Sequence, residues 1–209
     1  MSSVLEPAPA AAPRKSFRET QFEARAEAIL TVTNQLLATK GYELMVMDDI
    51  ASEVGIAKGS LYKHFPSKEA LAAAVMIRLL RATHQALRDQ PPGLKAIERI
   101  ESLLAWTFRT RLAGGVPHLP STSQTLRDHL MQNAEYIDEL MALSDAIGEL
   151  IATARADGDI SAELDDSFVL FAIYARSCDP TLDFLKAGGA FSDDEIVRQM
   201  IRCTLHGLR

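Results

Sequence analysis

Cysteine is nearly absent from this chain. Two residues, Cys178 and Cys203, in 209 exclude a disulfide framework and a zinc site built from cysteines alone. Aromatic residues are sparse at 6%, and no stretch alternates apolar and polar residues for long enough to make a strand-rich fold. Long hydrophobic runs are missing as well. The longest, Ala70 to Ile77 and Phe168 to Ala175, have eight residues each, whereas a membrane-spanning helix needs about twenty. Met1 to Pro13 lacks the basic start and apolar core of a signal peptide, so a cytoplasmic location with reduced thiols is expected. Positive charge is in deficit: 22 Lys and Arg face 28 Asp and Glu, a net charge of −6. At first sight that balance argues against a nucleic-acid partner. No Gly-rich phosphate loop, GxSxG elbow or His-rich ligand spacing is present. No cofactor and no metal are expected; His118, Asp128 and His129 read as surface residues.

What is present is 47% apolar and 24% charged residues, a globular balance set out at helical spacing. The chain is expected to be all-α. Residues 1–16 read as a disordered tail, Pro- and Ala-rich over its first thirteen positions. Arg14, Lys15 and Arg18 are either a solvated flank or an arm on nucleic-acid phosphate. Helices are predicted over 17–39, 47–54 and 58–64, with a long one over 68–90 that Ser67 caps and Pro91-Pro92-Gly93 closes. Others are expected over 94–112, 121–131, 134–156 and 163–177. Asp179-Pro180 interrupts the last of these, and a final helix runs from the Ser192 cap to Gly207.

The two short helices at 47–54 and 58–64 are joined by a tight turn at Gly55, the ingredients of a helix-turn-helix. Such a unit braces with its first helix and presents short polar side chains to base edges with its second, while lysines meet phosphates. The second helix offers Lys58, Ser60, Tyr62, Lys63 and His64. Gly59 leaves room for a close approach, and Leu61 and Phe65 point inward. Lys68 stands at the start of the next helix, where free N–H groups also attract phosphate.

The segment GYELMVMDDIASEVGIAKGSLYKHFPSKEAL, Gly41 to Leu71, resembles the DNA-binding domain of the tetracycline-repressor (TetR) family of transcriptional regulators. The resemblance covers roughly residues 18–72. It implies a helix-turn-helix domain over 17–72 and a helical ligand-binding and dimerisation domain over 73–209. It implies a ligand-responsive regulator, usually a repressor, that binds a palindromic double-stranded DNA operator as a homodimer and leaves it when a small-molecule effector binds. Lys58, Gly59, Ser60, Tyr62, Lys63 and His64 would face DNA, with Lys68 on phosphate. One departure stands out: family members commonly carry Thr or Ser just before Met47, and this chain has Met45-Val46.

In the C-terminal half, Trp106, Phe108, Arg109, Met131, Tyr136, Phe171 and Tyr174 are the candidate effector-binding residues, Arg109 as a partner for an anionic group. The resemblance points to Phe168, Ile173, Val197, Met200, Ile201 and Thr204 as the dimer face, two helices pairing with their symmetry mates. Other classes remain open here: a small all-helical enzyme using the same pocket, or a DNA-binding protein without an effector. Charge separates the halves. Residues 1–90 carry a net +1 and residues 91–209 a net −7, so the overall −6 marks where DNA is unwelcome without excluding it.

Overall fold

The computed structural model describes residues 16–116 and 123–208, and every regular element among them is a helix. None of these helices is long and apolar enough to cross a membrane. Arg14, Lys15, His118 and the first residues of the helix expected at 121–131 lie outside the described residues.

Helix α1 (Phe17–Thr39) begins with a capping box: the Ser16 hydroxyl accepts from the Glu19 N–H, and the Glu19 carboxylate accepts from the Ser16 N–H at 2.7 Å. A single turn, α2 (Gly41–Leu44), follows; it is too short to leave a periodic signal in sequence. Then come α3 (Met47–Val54) and α4 (Lys58–His64), separated by Gly55 at φ +75°. That left-handed conformation is open to glycine at little cost. Helix α5 (Lys68–Arg88) is capped by the Ser67 hydroxyl, which accepts from the Ala70 N–H.

Residues Ile29, Leu37, Met45, Ile50, Leu61 and Leu71 form the centre of an N-terminal core, each at 2% exposure or less. The same core takes in Leu126 and Leu130 from α7 (Gln124–Met131). Burying such a side chain is worth about 1.5–3 kcal/mol, so the N-terminal unit leans on a helix from the other half of the chain.

A second core gathers α6 (Ala96–Leu112), α8 (Ala134–Ala156), α9 (Asp166–Ser177), α10 (Thr181–Gly188) and α11 (Asp193–His206) around Ile100, Leu104, Phe108, Leu143, Ile147 and Ile151. Helix α10 stands where the sequence suggested only an interruption. Pro180 precedes its first turn, where no N–H is needed, and the Asp179 carboxylate accepts from the Thr181 N–H at 3.0 Å. Helix α5 joins the two cores, packing on α1, α6, α7 and α8.

Candidate nucleic-acid interface and ligand cavity

Helix α4 is fixed by Leu61, fully buried, and leaves its other face outside. On that face Tyr62 and Lys63 are exposed, Ser60 is half-buried, and nothing lies within 4 Å of where a Cβ would stand at Gly59. These four residues form one small polar surface with a hydroxyl, a phenol and an ammonium. Lys58 joins its edge, but its ammonium is already paired with Asp48 at 2.7 Å across the turn, which raises its pKa. DNA phosphate would therefore have to compete with that carboxylate.

Two expected DNA-facing residues are used differently. His64 turns from the exposed face and stacks on Phe22 of α1, ring centroids 3.9 Å apart, with Nδ1 buried and without a hydrogen-bond partner. Burial lowers its pKa, with Arg25 adding to the effect. It serves as the packing link between α4 and α1, an outcome its place at the end of a basic run concealed. Lys68 lies over the Tyr42 ring at 4.3 Å and donates to the Glu43 carbonyl at 3.3 Å. Tyr42 in turn donates to Glu69 at 2.8 Å, so Lys68 first ties α5 to α2. At Val46, the N-cap of α3, no side chain caps the helix, and the valine is 48% exposed.

In the C-terminal half a cavity of about 200 Å³ lies between α5, α6, α8 and α9. Of the candidate residues, Trp106, Tyr136 and Tyr174 line it, together with Leu79, Thr83, Thr107, Leu143, Val116, Ser177 and Cys178. Burial raises the phenols of Tyr136 and Tyr174 and the Cys178 thiol, so all three stay protonated near neutrality.

The remaining effector candidates lie elsewhere. Phe108 is fully buried in the second core. Arg109 is exposed and pairs with Asp194 at 3.7 Å. Met131, 66% exposed, ends α7 away from the cavity. Phe171, 68% exposed, lies with Tyr174 on an open groove between α8 and α9. A helical period tells which residues share a face, not which face meets an empty space. For the same reason nothing in the sequence marks Leu79, Thr83 or Ser177 as cavity residues.

The proposed dimer face changes for a similar reason. Ile173, Val197, Met200 and Ile201 are at most 8% exposed and belong to the second core, because α6 already covers the apolar stripe of α11. Thr204 is half-buried and donates to the Met200 carbonyl at 2.8 Å. Of the six, Phe168 alone is freely exposed, at 78%.

Residues 29–75 match the family model of bacterial regulatory proteins, tetR family. Over those residues the chain is similar to that family. Over 85 residues the chain is 32% identical to the HTH-type transcriptional repressor KstR of Rhodococcus jostii, an alignment covering 41% of this chain and 40% of that repressor. The chain thus spans well under half the length of that relative. Two solved structures extend the likeness over the whole fold. The fatty acid degradation regulator FadR from Bacillus halodurans superposes with a TM-score of 0.69 at 18% identity, over 88% of this chain and 96% of that one. AibR, solved in complex with isovaleryl coenzyme A and operator DNA, gives 0.61 at 19% identity, over 85% and 96%.

The N-terminal core and the cavity share residues. Met76, Leu79 and Tyr136 line the cavity and also pack in or against the N-terminal core. Arg78 of α5 donates to the Leu30 carbonyl and the Thr31 hydroxyl of α1 at 3.1 and 3.2 Å. One turn on, Arg81 pairs with Glu135 and Glu139 of α8 at 2.8 and 2.6 Å. A third link runs through Asn34 of α1, whose side-chain amide donates to the Gly115 carbonyl at 3.2 Å, next to the cavity residue Val116.

Proposed function

We propose that this protein is a ligand-responsive transcriptional regulator of the repressor kind. It binds a palindromic operator as a homodimer through Gly59, Ser60, Tyr62 and Lys63, and a small effector in the cavity releases it. The observation that carries this reading is the sharing of cavity-wall residues with the core that fixes α4. A ligand that presses on Met76, Leu79 and Tyr136 presses on the packing beneath the DNA-facing helix. Two α4 helices must enter successive major grooves about 34–36 Å apart, so a ligand that favours another spacing lowers operator affinity by its preference between the two states. The likeness to the repressor KstR and to AibR, solved with both an acyl coenzyme A and operator DNA, supports both halves of the proposal.

A second copy of the chain is the occupant we assign to the exposed apolar side of α8 and α9, where Met141, Phe168 and Phe171 stand out at 54%, 78% and 68% exposure. This replaces the α11 stripe, which is spent within the chain. Cytoplasmic location follows from the role.

Electrophoretic mobility shift with DNA from the upstream region of its own gene tests the proposal. Retardation by a two-chain complex that weakens steeply with added salt is expected, and no retardation of any upstream fragment at micromolar protein refutes it.

A further inference from the structure

The cavity wall also constrains what the effector is. We propose that it is a small, uncharged, largely apolar molecule carrying a hydrogen-bond-accepting oxygen, rather than an anion or a coenzyme A thioester gripped by its phosphates. The link to operator release rests on the regulator reading above; the binding chemistry does not.

Charge decides first. Among the described residues no Asp, Glu, Lys, Arg or His lines the cavity. An ion placed there would lose its water without gaining a counter-ion, the costliest kind of burial. Arg111, whose guanidinium reaches the carbonyl of cavity residue Ser177 at 3.1 Å, is paired there with Asp183 at 2.6 Å. Its buried Nε has no partner, yet the paired Asp183 already offsets the charge an anion would seek. Arg78 and Arg81, on a separate surface of α5, are likewise matched by Glu27, Glu135 and Glu139.

The hydroxyl protons decide next. Thr83 and Thr107 donate to the carbonyls of Leu79 and Leu103, at 2.8 and 2.9 Å. Ser144 donates to the Leu140 carbonyl, which leaves the 2.8 Å contact between Ser144 and Tyr174 to be made with the tyrosine proton. The Cys178 thiol is turned to the Tyr174 carbonyl. The Tyr136 hydroxyl and the Trp106 indole N–H make no hydrogen bond within the described residues, so the wall has donors to spare and calls for an acceptor on the ligand. Size decides last: at about 200 Å³ the space lies below the roughly 300–1,000 Å³ usual for ligand pockets, too small for a nucleotide-bearing group.

Trp106 is the single tryptophan, so its emission reports occupancy in the full-length protein. Octan-2-one, octanoate and octanoyl coenzyme A, titrated at pH 7.5, separate the cases. Octan-2-one is expected to shift the Trp106 emission and raise the melting temperature, with octanoate at least about tenfold weaker and octanoyl coenzyme A weaker still. Tyr136→Phe should weaken octan-2-one by roughly three- to tenfold through the lost donor. Octanoate or octanoyl coenzyme A binding as tightly as the ketone overturns the proposal, as does a ketone without effect at millimolar concentration. If the ketone binds but the protein never retards DNA, the regulator reading fails and the ligand chemistry stands.

Discussion

The two halves of this chain put their chemistry on opposite sides of their cores. The N-terminal unit buries Leu61 to turn Ser60, Tyr62 and Lys63 outward, and its candidate site is a surface formed by one short helix. The C-terminal half turns the hydroxyls of its candidate site inward, around a cavity assembled from four helices, and leaves phenylalanines outside. A surface site needs consecutive residues on a braced element, and so can be written in a few adjacent positions. An interior site needs only that helices from distant parts of the chain fail to fill the space between them.

The largest effects should come from the two cores, and they should differ by half. Phe108→Ala removes a fully buried ring from the second core, at a cost of about 3–5 kcal/mol. Leu61→Ala empties a fully buried site under α4, at about 2–5 kcal/mol. Calorimetry should show both, but Leu61→Ala should lose operator binding while Trp106 still responds to a cavity ligand. Equal loss of both activities in both variants would mean that the cores do not separate in this way.

Next in size is Tyr62→Ala, which touches the surface and not the packing. Operator affinity should fall by about 1–3 kcal/mol, the range for a side chain that meets bases, with no change in melting temperature. His64→Ala should behave in the opposite manner, destabilising the protein through the lost Phe22 stack more than it changes sequence preference. Unchanged operator affinity for Tyr62→Ala removes α4 as the reading helix.

How much of this was legible follows the same division. The short helices α3 and α4, the Gly55 turn and the inward Leu61 could be read because each has a local cause: a left-handed glycine, a period, a stop at Pro66. His64 could not, because its role depends on Phe22, forty-two positions away. In the other half most helix boundaries could be read, α10 excepted, but only part of the cavity lining could. Large size marks out Trp106, Tyr136 and Tyr174, but it marks out Phe108 as well, which fills the core instead. The stripe Val197, Met200 and Ile201 was apolar as required, but a stripe does not say whether its cover is α6 or another chain.

A smaller effect should appear where the halves meet. Asn34 is buried and holds the Gly115 carbonyl beside cavity residue Val116. Asn34→Ala should leave ligand-free operator binding nearly intact yet reduce the ligand-induced loss of affinity by about 1 kcal/mol, the net worth of one such hydrogen bond. Operator titrations with and without a cavity ligand measure that ratio. The same ratio in variant and parent would leave the coupling to α5 and to the shared residues Met76, Leu79 and Tyr136.

The smallest predicted change is a gain. Val46 stands at the N-cap of α3 with extended backbone, φ −123° and ψ 148°, and offers no side-chain acceptor. Thr has nearly the shape of Val and adds a hydroxyl that accepts from the first-turn N–H groups. Asp48 and Asp49 already complement the positive end of α3 while pairing with Lys58 and Lys40. Val46→Thr should therefore stabilise by about 0.5–1 kcal/mol, the lower part of the usual range for a cap, and tighten operator binding slightly if the hydroxyl also meets a phosphate. The effect belongs to the N-terminal unit alone, so Trp106 titrations should be identical in variant and parent. A change in cavity affinity would mean that the cap of α3 is felt across α5, and that the halves are more tightly joined than Asn34, Arg78 and Arg81 imply.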